Sequence, residues 1–210
     1  MAPADGRTGL VRELITVAPG STFEGIAGSG GELWYVISGR GLLDAGDQSG
    51  APAGAETGAW MPPGTRFRLR AGPDAEIRLD TVALPAHGPG AAGSARLAEL
   101  RDCEVERTGD RRFRVLLGPG RGCEAATQFL GEIPPGRAPE HSHPYDELVL
   151  VLEGRGVAHV RGGDRPLAPG TQMHLPPGRP HCLENTGPGD LVVLGVFHPG
   201  GSPAAKEACR

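Results

Sequence analysis

Apolar residues in this chain come in short runs set between glycine- and proline-rich breaks. Leu148 to Leu152 is an unbroken apolar stretch, and Leu191 to Phe197 is nearly one. Thr65-Arg-Phe-Arg-Leu-Arg70 alternates cleanly, with Phe67 and Leu69 on one face and Arg66, Arg68 and Arg70 on the other. A period of two is that of a strand, and the arginine face is expected to be solvated. Runs of this length, broken by turn residues about every 8–12 positions, predict an all-β sandwich or barrel. Glu104 to Leu117 predicts a hairpin turning at Thr108-Gly109-Asp110, and Leu97 to Asp102 predicts a single helical turn. No segment has the period of a long amphipathic helix.

The chain is written twice. Glu32-Leu-Trp-Tyr-Val-Ile-Ser-Gly39-Arg-Gly41 and Glu147-Leu-Val-Leu-Val-Leu-Glu-Gly154-Arg-Gly156 share six of ten residues at an offset of 115. Pro62-Pro-Gly64 returns as Pro176-Pro-Gly178 at an offset of 114, and Pro19-Gly20 as Pro135-Gly136 at 116. Three landmarks keep their order and nearly their spacing, which predicts a duplicated unit. The expected division is a first barrel over 1–84, a linker over 85–97 and a second barrel over 98–210. Pro85 to Ala95 carries the linker composition, and His87 within it is expected to have no role.

Composition changes this picture little. Gly (35) and Pro (21) are abundant in the 210 residues, but they fall between the apolar runs, as turns do. A formal net charge of -4 gives no reason to expect nucleic acid or an anionic membrane as partner. Met1 to Leu10 lacks an apolar leader core, and no apolar run approaches the roughly 18 residues of a membrane span. A cytoplasmic protein with a small-molecule substrate is expected. The four cysteines, Cys103, Cys123, Cys182 and Cys209, show no C-x-x-C spacing and are expected to be free thiols.

The chemistry is concentrated in His141-Ser-His143-Pro-Tyr-Asp-Glu147. Side chains at i and i+2 of a strand share a face, so His141 and His143 can reach one point. Glu147 follows a kink at Pro144, and His181 arrives directly after Pro176-Pro-Gly178. Three imidazoles and a carboxylate suit one divalent transition metal (Fe, Mn, Ni, Cu or Zn) and leave coordination positions open. Cys182 should point away from that ion, and Asn185 should fix a turn. Tyr145 and Asp146 are candidates to support the ligands, and His174 lines the pocket only if strand parity favours it.

Gly136-x4-His141-x-His143-x3-Glu147-x6-Gly154 resembles the first motif of the cupin family, with four residues after the first glycine where the family usually has five. Gly170-x5-Pro176-x-Gly178-x2-His181-x3-Asn185 resembles the second motif at every position. The resemblance implies two tandem double-stranded β-helix barrels, with the metal inside the second. It also implies a range of activities: dioxygenase-type oxidoreductases, with Glu147 as ligand and proton acceptor; isomerases, cyclases or lyases using the metal as Lewis acid; and non-catalytic binders. Counting back from Glu32 places Ile26 and Gly28 at the two histidine positions of the first repeat and Phe67 at the third. The first barrel is therefore expected to be structural, and the chain to be a monomeric pseudo-dimer or a homodimer.

Overall fold

The computed structural model describes residues 9–86 and 94–205, and the backbone of 207–208. The described chain forms two compact units. One comprises Met1–Asp102 with Gly120–Glu124, and the other Cys103–Pro119 with Ala125–Arg210. The only helical element among the described residues is the 3-10 turn Leu100–Asp102, so no helix there is long or apolar enough to cross a membrane.

The first unit contains β1 (Val11–Val17), β2 (Thr22–Ile26), β3 (Glu32–Ser38), β4 (Arg40–Ala45), β5 (Gln48–Gly54), β6 (Thr57–Met61), β7 (Arg66–Ala71), β8 (Ile77–Ala83) and β9 (Arg96–Glu99). They build a five-stranded sheet, β1-β8-β3-β6-β9, and a four-stranded sheet, β2-β7-β4-β5. The second unit contains β10 (Glu106–Thr108), β11 (Arg111–Leu117), β12 (Thr127–Ile133), β13 (Gly136–Arg137), β14 (His141–Ser142), β15 (Asp146–Glu153), β16 (Gly156–Val160), β17 (Gly163–Leu167), β18 (Gln172–Leu175), β19 (His181–Asn185), β20 (Leu191–His198) and β21 (Glu207–Ala208). Its sheets are β10-β11-β12-β20-β15-β18 and β17-β16-β19-β14-β21, with β13 also on β19.

The duplication read from the sequence is a duplication of pairing. β3 lies between β8 and β6 as β15 lies between β20 and β18. Glu32 faces Met61 and Ala83, and Glu147 faces Leu175 and Phe197. Even the ladder irregularity recurs, between Val36 and Ser38 in one unit and Val151 and Glu153 in the other. Just beyond it, Gly39 and Gly154 adopt φ of 88° and 83°. A side chain at Gly154 would stand 2.7 Å from the Asp190 carbonyl oxygen, which explains why the turn before Arg-Gly takes glycine twice.

The interiors follow from strand parity. In the first barrel Trp34, Val36, Leu43, Phe67, Leu69 and Leu79 belong to one core. Arg68 and Arg70, on the opposite face of β7, pair with Glu24 and Asp44. In the second barrel Val149, Val151, Met173, Leu175, Leu183 and Leu191 form the aliphatic core. The hairpin at Gly109-Asp110 forms as expected, with Thr108 opposite Arg111.

Two expectations are corrected. Residues 96–99 are neither linker nor second barrel: β9 pairs with β6, Leu100 N–H donates to the Glu56 carbonyl, and Ala95 and Leu97 pack on the first core. The short alternation of Ala95, Leu97 and the helical turn is too brief to read as a strand in sequence. The first-barrel counterparts of the histidines also shift by one. Gly25 lies opposite Phe67 as His141 lies opposite His181. Gly25 and Ala27 hold the interior places, and Ile26 points outward, 55% exposed. One more residue separates Gly25 from Glu32 than separates His141 from Glu147, and a single residue exchanges the faces of a strand.

Candidate metal site

His141 and His181 are ladder partners on β14 and β19, and His143 follows β14 directly. Glu147 comes from β15 in the facing sheet, so both layers of the barrel contribute. All four residues are buried. One ring nitrogen from each histidine lies within 4.8 Å of the others. Glu147 Oε2 stands 3.4 Å from His181 Nε2 and 3.7 Å from His143 Nε2.

The backbone sets the rings. Nδ1 of His141 lies 3.1 Å from the Pro139 carbonyl, that of His143 2.9 Å from Ala205, and that of His181 2.9 Å from Arg179. A carbonyl only accepts, so each neutral ring carries its proton on Nδ1 and keeps the Nε2 lone pair for a cation. Tyr145 stacks on His143 with an interplanar angle of 11° and donates its hydroxyl to the Ser202 carbonyl at 2.6 Å.

Electrostatics agree with this geometry. Burial, then the neighbouring His181, pushes His141 down to about 3 and keeps it neutral. Burial also lowers His181. Burial pushes Glu147 up to about 8, with the Arg111 charge pulling the other way, and its Oε2 has no hydrogen-bond partner. Imidazoles at His141 and His181 held away from the charged form, beside a buried carboxyl oxygen with no hydrogen-bond partner, suit a divalent cation. The residues fit such an ion.

The site opens into a cavity of about 60 Å³. Phe113, Phe129, Ile133, Leu183, Val193 and Phe197 supply its apolar wall. Phe129 lies across Gly195, where a Cβ would meet its Cζ at 2.1 Å, so this glycine makes room for the ring. At the equivalent place in the first barrel, aromatic side chains fill the interior. Trp34 and Phe67 stand where the second barrel has Val149 and His181, their ring centroids 4.6 Å apart. Glu32 is satisfied there by Trp34 Nε1 at 3.1 Å and the Gly28 N–H at 3.3 Å.

Other candidates fall where parity puts them. His174 lies opposite Leu148, outside the barrel, and bonds Asp146 at 2.6 Å, so neither lines the cavity. Cys182 points away and donates to the Ala138 carbonyl. Asn185 fixes a turn through the Ile133 and Gly189 carbonyls and the Gly187 N–H. Among the described residues Cys103, Cys123 and Cys182 form no disulfide, while His87 and Cys209 lie outside them.

The sequence reading missed Arg111, which lines the cavity beside the histidines. A signal was present in Arg111-Arg-Phe-Arg114. Phe113 is a core residue, so Arg111 shares the inward face, while Arg112 and Arg114 face outward and pair with Glu132.

Residues 129–197 match the family model described as a cupin domain. Over 68 residues, 31% of this chain, the sequence is 37% identical to the oxalate-binding protein of Thermotoga maritima, and the match spans 56% of that protein. Among solved structures, protein Ylba from E. coli superposes with a TM-score of 0.76 at 14% identity, covering 92% of this chain and 78% of Ylba. Bacillus subtilis oxalate decarboxylase, described with Mn(II) centres, gives 0.74 at 16% identity, covering 92% and 70%. Residues 129–197 are thus a cupin domain, and the chain around them has a bicupin-like fold.

Proposed function

We propose that the second barrel binds one divalent transition metal on His141, His143, Glu147 and His181 and acts on a small organic molecule as a dioxygenase-type oxidoreductase. The convergence of three Nε2 atoms and one buried carboxylate oxygen at the end of an apolar cavity carries this reading. The bound ion would supply a Lewis-acid centre with positions open to a substrate oxygen pair and to O2. The protein supplies the rest. Carbonyls fix each imidazole, the phenylalanine wall excludes water, and Glu147 holds or accepts a proton at its carboxylate.

Cavity size limits the substrate. About 60 Å³ is far below the roughly 300 Å³ at which pockets for drug-sized ligands begin, so the substrate has only a few carbons. A second reading, binding or lyase chemistry without O2, draws support from the oxalate-binding relative. Oxygen-electrode and CO2 assays separate the two. Metal-loaded protein, given oxalate and small 1,2-dicarbonyl compounds, should consume O2 in proportion to substrate lost. Turnover without O2 uptake, or binding without turnover, sinks the oxygenase assignment and favours the second reading.

A further inference from the structure

We infer that Arg111 is the carboxylate-recognition residue of this cavity, so that the second barrel selects small molecules bearing a carboxylate in addition to the group presented to the metal. This rests on the metal site proposed above. Arg111 lines the cavity together with the apolar residues and the three histidines. Its Nε is buried and, among the described residues, has no hydrogen-bond partner. The other two arginines of the strand each have an acid: Arg112 meets Glu132 and Asp190, and Arg114 meets Glu132. Arg111 is thus the member of the set on the inward face, and among the described residues it forms no ion pair, although the charges of Asp110 and, more weakly, Glu147 reach it.

Charge balance gives the ligand class. A divalent ion, three neutral imidazoles, one carboxylate and a guanidinium leave two positive charges in excess within an apolar cavity. Buried charge without a partner is costly, so a ligand that completes the balance is favoured over a neutral one of the same shape. A guanidinium fork matches a carboxylate in two parallel hydrogen bonds. The cavity volume keeps the ligand to a few carbons. A short dicarboxylate, or a carboxylate with a neighbouring oxygen, meets both conditions.

The test is calorimetric titration of the Zn(II)-loaded chain with malonate and glycolate against their neutral amides, malonamide and glycolamide, together with metal analysis of each sample. Wild type should prefer the acids. Arg111→Leu should keep its metal and lose on the order of 10- to 100-fold in malonate affinity, with amide affinity unchanged. If Arg111→Leu does not fold, Arg111→Gln reads the same loss. Malonate affinity within twofold of wild type in the folded variant overturns the inference, as does an acid and amide bound equally by wild type, or no probe bound at all. Metal missing from wild type overturns the metal reading instead, and the metal analysis shows this separately.

Discussion

His141 and His181 face one another across β14 and β19 with ring centroids 4.5 Å apart, and each ties its Nδ1 to a carbonyl two residues back in its own chain. The two strands carry the same local device from opposite directions. A strand pair is rigid, so the Nε2 atoms are aimed before any ion arrives. His181→Ala should lower metal affinity more than about 100-fold in a chelator competition, since even partners behind the ligands are worth 10–100-fold. His174→Ala, on the outer face, should leave it unchanged.

The segment after Pro199 serves the site from outside the barrel core. Ala205 supplies the acceptor for His143, Ser202 accepts from Tyr145, and Pro203 lines the cavity. A chain ending at Gly201 should therefore still fold, yet hold metal about 10- to 100-fold more weakly. Unchanged affinity in the same chelator competition would show that the His143 ring is fixed by its stacking on Tyr145 and not by this carbonyl.

Much of this was legible in the sequence because the informative residues are constrained twice, by parity and by turns. His141, His143 and Glu147 share an interior with His181 because two glycine–proline frames fix where the strands begin. Three features were hidden. The register of the first repeat depends on one extra residue before Glu32, which no periodicity shows. β9 owes its place to pairing with β6, a contact across more than 35 residues of chain. Arg111 stands in sequence beside Arg112 and Arg114, and only the burial of Phe113 identifies which of the three faces inward from β11.

The first barrel should tolerate no loss of its aromatic filling. Phe67 is buried against Trp34 and Phe23, with ring centroids 4.6 and 5.4 Å away. Phe67→Ala should cost about 3–5 kcal/mol, measured by denaturant unfolding of the first barrel. Metal content should not change.

On the outer face of the second barrel, His159 lies between Glu184 at 2.7 Å and Asp164 at 2.8 Å. Glu184 first, then Asp164, raises its pKa above the ordinary value. A raised folded-state pKa means that the imidazolium contributes all of its stability below the unfolded value of about 6.5 and loses it as pH rises through the folded value. Thermal melts from pH 6 upward should show wild type losing stability relative to His159→Gln. Parallel curves would contradict the ion pairs.

The central claim is one metal ion held by His141, His143, Glu147 and His181, and elemental analysis of the purified full chain tests it most directly. The account predicts one equivalent of a divalent transition metal per chain for wild type. It predicts none for the His143→Ala, His181→Ala double variant, with the fold retained by circular dichroism. A full equivalent in that double variant, or two equivalents in wild type, would contradict it.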